Sequence, residues 1–284
     1  MIRKIALPIL VLVIAGCAGQ VQKPARICPG KKNVDEAIAA LNAQRQKQAP
    51  IKAAGQCLLK YQFEGKQHQE NFPVKLWINP PDEIYLQGDV AFDATGLVLG
   101  ANSKEFWLWL KPKEASTYWW GRWSQTNNWA GFTLSPEALM EVFGFINTAQ
   151  GDWLLTRGQY DILWLHNEDG VLLKRMYIET CDYVPAKIEY FDPSGKVIGG
   201  TEFTKHRKIA DEDYIPMQIK IFTVAGEGIG DSAQITLTAA EPMRFNEQQK
   251  QRLFNRPAPK GFNHIYNIID GNAVEQGHES IVGK

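Results

Sequence analysis

Ala225-Gly226-Glu227-Gly228-Ile229-Gly230-Asp231 has the glycine density of a loop that cradles phosphate, and it is this chain's nearest approach to a cofactor motif. Phosphate binding of that kind needs a helix to start directly after the glycines, so that free backbone N–H groups and the helix dipole meet the anion. Ser232 to Ala239 alternates as a strand instead, and the run reads as a flexible hairpin turn. The five histidines, His68, His166, His206, His264 and His278, are scattered. No two stand at metal-ligand spacing and none neighbours a Ser or Cys in a nucleophile motif, so each reads as a surface or edge residue. There is no G-x-S-x-G elbow, no H-E-x-x-H and no Walker-type lysine loop. Glu168-Asp169 and Glu212-Asp213 lie in turn-like sequence, where carboxylates are solvated. The sequence nominates no enzyme, no metal site and no cofactor.

The most specific chemistry is at the N-terminus. Arg3 and Lys4 precede an apolar run, Ile5 to Ile14, followed by Ala15, Gly16 and Cys17. This is the layout of an export signal, and the run is shorter than the ~20 apolar residues a bilayer-spanning helix needs. Ile14-Ala15-Gly16-Cys17 resembles a bacterial lipobox, in which the cysteine becomes the acylated first residue. The resemblance implies removal of residues 1–16 and a lipid anchor on Cys17. Each acyl chain would add about 0.8 kcal/mol of membrane affinity per buried methylene. Ala18 stands where an aspartate would retain such a protein at the inner membrane. The expected location is therefore the periplasmic face of the outer membrane.

With Cys17 spent on lipid, Cys28, Cys57 and Cys181 remain. Two of them can pair in an oxidising compartment, and three pairings are open. Cys28 and Cys57 flank one short helix, so a Cys28–Cys57 disulfide is the favoured expectation, with Cys181 left reduced and buried. No His or carboxylate cluster accompanies these thiols as a zinc site would require.

Lys+Arg and Asp+Glu both number 31, and no basic block stands out, so the charge pattern carries no nucleic-acid footprint. Seven of the nine tryptophans fall between Trp107 and Trp153. Trp107, Trp109, Trp119, Trp120, Trp123, Trp129 and Trp153 admit three readings: packed core, lining of an acyl-chain cavity, or contact with a membrane interface. Trp119 and Trp120 are neighbours in a predicted strand and must point to opposite faces.

The elements that would position these side chains follow from periodicity. Residues 18–32 read as a polar tether. Asn33 with Glu36 marks a helix start, and Val34, Ala37, Ile38 and Leu41 recur at helical spacing up to Pro50. Strands are predicted at 51–64, 72–79, 83–91, 95–101, 105–111 and 116–123. A second set falls at 159–167, 171–180, 185–192, 196–206, 215–224 and 233–240. Pro80-Pro81-Asp82, Asn167-Glu168-Asp169-Gly170 and Asp192-Pro193-Ser194-Gly195 supply turns. Ser135-Pro136-Glu137 opens a helix predicted over 135–147, with Leu139, Met140, Phe143 and Ile146 on one face. A short helix is expected from Asn246, and a loose polar tail after Gly271. The composition does not shift along these strands, which argues for one curled sheet over residues 33–270.

A lipobox, a leading amphipathic helix, consecutive hairpins, one mid-chain helix, further strands and a late Leu253-Phe254-Asn255-Arg256-Pro257 before Gly261-Phe262 together resemble the LolA/LolB-type lipoprotein-carrier superfamily. The resemblance implies an α+β, mainly β fold: an open antiparallel β-barrel of about eleven strands with a helical lid over an apolar cavity. On it, a monomer would bind a lipid or the acyl chains of a lipoprotein through Trp107, Trp109, Trp119, Leu139, Met140 and Phe143, without catalysis. The alternative is a structural or protein-interaction lipoprotein whose barrel is filled by its own side chains.

Overall fold

The computed structural model describes residues 28–63, 65–90, 93–111, 116–123, 128–129, 132–133, 135–148, 151–210, 213–226 and 228–276. The signal segment, Cys17, residues 18–27 and the tail from 277 lie outside the described residues, as does the side chain of Trp129.

Helix α1 (Val34–Lys47) starts where expected: the Asn33 side chain accepts from the Glu36 N–H at 2.9 Å, and Ala37 and Leu41 are buried. The first meander is β1 (Ile51–Phe63), β2 (Lys66–Asn79), β3 (Glu83–Val90), β4 (Asp93–Ala101), β5 (Glu105–Leu110) and β6 (Thr117–Arg122). The small hairpin β7 (Asn128–Trp129) and β8 (Phe132–Thr133) leads to α2 (Pro136–Val142). The second meander is β9 (Asp152–Arg157), β10 (Asp161–His166), β11 (Leu172–Ile178), β12 (Pro185–Phe191), β13 (Val197–Ala210), β14 (Asp213–Ala225) and β15 (Gly228–Pro242). Helix α3 (Glu247–Phe254), β16 (His264–Ile269) and β17 (Asn272–Glu275) complete the chain. The glycine run at 225–231 spans the β14–β15 hairpin, with Ala225 ending β14 and residues from Gly228 on already in β15.

All strands except β7 and β8 join one sheet, ordered β17-β16-β6-β5-β4-β3-β2-β1-β15-β14-β13-β12-β11-β10-β9. The two meanders meet where β1 pairs antiparallel with β15, and β16 adds parallel to β6. The sheet has fifteen strands and is not closed, where the resemblance implied about eleven. Strands β9, β16 and β17 of this sheet, and the separate hairpin β7–β8, lie outside the strands expected from the sequence. Strand β17 makes residues 272–275 part of the sheet, beyond the expected domain boundary.

Strand alternation gives the sheet an inner and an outer face. The inner face carries the main core, including Ile78, Ile84, Leu163, Met176, Ile188, Phe203 and Ile219, and α1 and α2 cover it with Ala37, Leu41, Met140 and Phe143. On the outer face of β4 to β6, Val98, Trp107, Trp109 and Tyr118 form a second cluster beneath Phe262 and Ile265.

The disulfide is Cys28–Cys181, with Cα atoms 5.1 Å apart, and not Cys28–Cys57. Cys57 is the buried free thiol: it pairs across β1 with Ile235 and Phe72, so its side chain points into the inner core. Cys28 lies instead at the end of the sheet, where the neighbouring Lys31 N–H donates to the Asp161 carboxylate at 2.7 Å. Cys181 is exposed in the β11–β12 connection and is available to it. His206, read above as a surface or edge residue, is also buried: its side chain is 8% exposed and lies 3.9 Å from the Glu179 carboxylate.

Candidate functional site

Helix α2 is the element from which the inner face is controlled. Its Ser135 hydroxyl accepts from the Ala138 N–H at 3.0 Å and Pro136 occupies the first turn, as the sequence implied. It is shorter than expected. Gly144, at φ 91°, breaks the helix, and the Phe143, Gly144 and Phe145 N–H groups close back on Met140 and Glu141. The chain then runs on through Phe145, Ile146 and Thr148, all buried. Two side-chain bonds fasten this run to α1: the Thr148 hydroxyl donates to the Asn42 Oδ1 at 2.9 Å, and the Arg45 guanidinium to the Asn147 Oδ1 at 2.8 Å. Beside that seam, Leu41, Arg45, Ile146, Val184, Asp213 and Tyr214 enclose a cleft of about 20 Å³, the space of one water-sized sphere.

Among the apolar contacts of α2 sits a charged one. Glu141 is 2% exposed, and both its carboxylate oxygens accept from the Lys174 ammonium, at 2.7 and 2.9 Å. Lys174 lies on β11, on the same face as Met176 and Ile178. The Tyr190 hydroxyl donates to Glu141 at 3.2 Å. Burial, reinforced by the Glu141 charge, pushes the Tyr190 phenol well above its ordinary range, so it stays a donor. The Lys174 ammonium also stands 5.4 Å from the Trp153 ring centroid, and the Trp153 indole N–H is buried with no hydrogen-bond partner. Trp153, Leu165, Lys174 and Tyr190 are register partners in succession, one row across β9 to β12. A two-turn helix is thus pinned to the inner face of the sheet by a buried ion pair with one phenol on it.

The residues expected to line a cavity divide between the two faces. Met140 and Phe143 lie buried in the inner core, with Leu139 and Trp119 packed against it. Trp107 and Trp109 do not join them. They point to the outer face, because they alternate with Phe106 and Leu108 along β5, and the C-terminal segment covers them. Trp109 stacks on Tyr118 at 5.9 Å between centroids and also contacts Phe262, and Tyr118 donates to the Pro257 carbonyl at 2.9 Å. Trp120 also faces outward, with the Arg256 guanidinium 4.0 Å from its ring centroid. Glu141, Lys174, Tyr190 and Trp153 were missed as a group. The signal was present in part: a lysine on the apolar parity of β11, and a glutamate between Met140 and Phe143.

A domain from Vibrio parahaemolyticus, described as that of an outer membrane lipoprotein-sorting protein, aligns with TM-score 0.51 and 15% identity, over 77% of this chain and 97% of that one. A DUF1329 family protein from Desulfovibrio piger aligns with the same score and identity, over 78% and 97%. The chain has the fold of these proteins. A LolA superfamily protein from Nitrosomonas europaea aligns at TM-score 0.49 with 12% identity, over 77% and 97%. No protein-family profile matches the sequence, and no curated protein is similar enough to count as a relative.

Proposed function

We propose that this protein is an envelope lipoprotein that binds a hydrophobic ligand, a lipid or the acyl chains of a lipoprotein, between α2 and the inner face of the sheet, without catalysis. The observation that carries the reading is the buried Glu141–Lys174 pair between α2 and the inner face of the sheet. A buried ion pair adds little net stability compared with apolar side chains of the same volume, because both charges lose their hydration. Both charges regain water if the helix lifts, which lowers the cost of opening relative to a wholly apolar seam. Leu139, Met140 and Phe143 would then meet acyl methylenes in place of the sheet, at roughly 25 cal/mol per Å² removed from water. The unpartnered Trp153 N–H beside Lys174 is a donor suited to a ligand carbonyl. The fold shared with a domain described as lipoprotein-sorting supports the same reading.

The membrane anchor is part of the proposal and rests on Ile14-Ala15-Gly16-Cys17. Native mass spectrometry of protein purified from envelopes should reveal bound lipid, and a fluorescent fatty acid should bind the delipidated protein. Replacing Glu141 and Lys174 together by Leu and Met should hold α2 shut, slowing probe uptake severalfold while the melting temperature changes little. Protein that carries no lipid and binds no probe would leave only the alternative of a filled structural lipoprotein.

A further inference from the structure

Among the described residues, the outer face of β9 to β11 leaves large apolar side chains exposed, whereas that of β4 to β6 is covered by Phe262 and Ile265. Leu154 on β9 is 55% exposed and Leu173 on β11 is 42% exposed, two of the five large apolar side chains that stand out among the described residues. Between them on β10 is half-buried Trp164, the direct register partner of Leu154 on one side and of Arg175 on the other. The Arg175 guanidinium lies 4.8 Å from the Trp164 ring centroid, and the Trp164 indole N–H donates to the Thr156 hydroxyl at 2.9 Å. Arg175 is itself paired with the Glu189 carboxylate of β12, and exposed leucines and a tryptophan beside such a neutralised pair suit the boundary between acyl chains and headgroups.

The path of the chain says what reaches this patch. Cys28 is bridged to Cys181, just past the end of β11, and Lys31 is bonded to Asp161, the first residue of β10. The described chain therefore starts, at Cys28, by the end of the same strands. From Cys17 to Cys28 the fully extended chain reaches at most about 40 Å, and the six residues of β10 measure roughly 20 Å. We infer that the outer face of β9 to β11, through Leu154, Trp164 and Leu173, rests on the lipid bilayer that holds the Cys17 acyl chains. The anchor supplies the approach and the patch fixes the orientation, leaving the face that carries α1 and α2 turned away from the surface the protein stands on. The inference depends on the anchor reading of Cys17, but not on whether the inner face binds a ligand.

The test uses the acylated full-length protein in phosphatidylglycerol vesicles whose acyl chains are brominated, with tryptophan fluorescence as the readout and the intact mass reporting acylation of Cys17. Bromine should quench the wild type, and Trp164→Phe should remove at least half of that quenching. Leu154→Ser with Leu173→Ser should reduce it similarly without lowering the melting temperature. Quenching that survives Trp164→Phe but is lost in Trp153→Phe belongs to the inner face and overturns the docking. An unacylated Cys17 overturns the anchor and the docking with it. Acylated protein whose tryptophans are not quenched overturns the docking alone.

Discussion

At the residue scale, burial decides which groups stay inert. Cys57 is held in the core of β1, and burial pushes its thiol up to about 12, so almost no thiolate exists near neutrality. Native protein should therefore take up no maleimide over hours, and one equivalent per chain on unfolding without reductant; rapid native labelling would mean that Cys57 is accessible. Burial acts on His206 in the other sense, lowering its pKa, and the nearby Asp182 charge only partly offsets this. A base with a depressed folded pKa contributes stability that is complete above its unfolded value, about 6.5, and is lost as pH falls through the folded value. Glu179, raised by burial and by Asp182, works with the opposite sign at lower pH, so the comparison must be between variants. Melting temperature should fall between pH 7.5 and 5.5 more steeply in the wild type than in His206→Phe; parallel curves would show that His206 does not titrate differently on folding. Neither burial was legible. Cys28 and Cys57 flank α1 in sequence, but strand alternation turns Cys57 inward, and the partner of Cys28 is 153 residues away.

At the scale of elements, most strands were legible because alternation and turn residues both mark them. Their ends were not: β15 runs fifteen residues and includes Gly228, Gly230 and Ser232, which in sequence look like loop. Strand β9 was missed because Trp153, Leu154 and Leu155 are apolar in succession and show no period of two. Asp270 and Gly271, both at positive φ, form the kind of two-residue turn that joins β16 to β17, and this signal was overlooked. The α2 cover was foreseen, but the ion pair that seats it was not. Lys174→Met alone leaves a buried carboxylate and should cost about 3–5 kcal/mol; with Glu141→Leu added, stability should return to within about 2 kcal/mol of the wild type. Chemical denaturation of the two singles and the double measures this coupling, and additive losses would show that the charges do not act as a pair.

At the scale of the molecule, the C-terminal segment completes the fold. Residues 256–265 cover Trp107, Trp109 and Tyr118, with Arg256 also bonded to Glu105 at 2.8 Å. Truncation after Phe254 should expose that aromatic cluster, raise binding of a hydrophobic dye severalfold and promote aggregation; a soluble truncated protein with unchanged dye binding would refute its covering role. The central seam has a different kind of consequence. Ile51 pairs with Ile78 of β2 on one side and with Pro242 of β15 on the other, so the first strand has one neighbour at once but cannot meet its second until almost the whole chain has been made. At 5–20 residues per second, translation separates Ile51 and Pro242 by roughly ten to forty seconds. Long-range pairing of this sort is slow to form in any case, and pulse-labelled hydrogen exchange should find the β1 amides that bond to β15 gaining protection later than those that bond to β2. For a chain that we propose is threaded unfolded through a membrane, an arrangement of strands that postpones its own completion keeps the polypeptide fit for export until it has arrived.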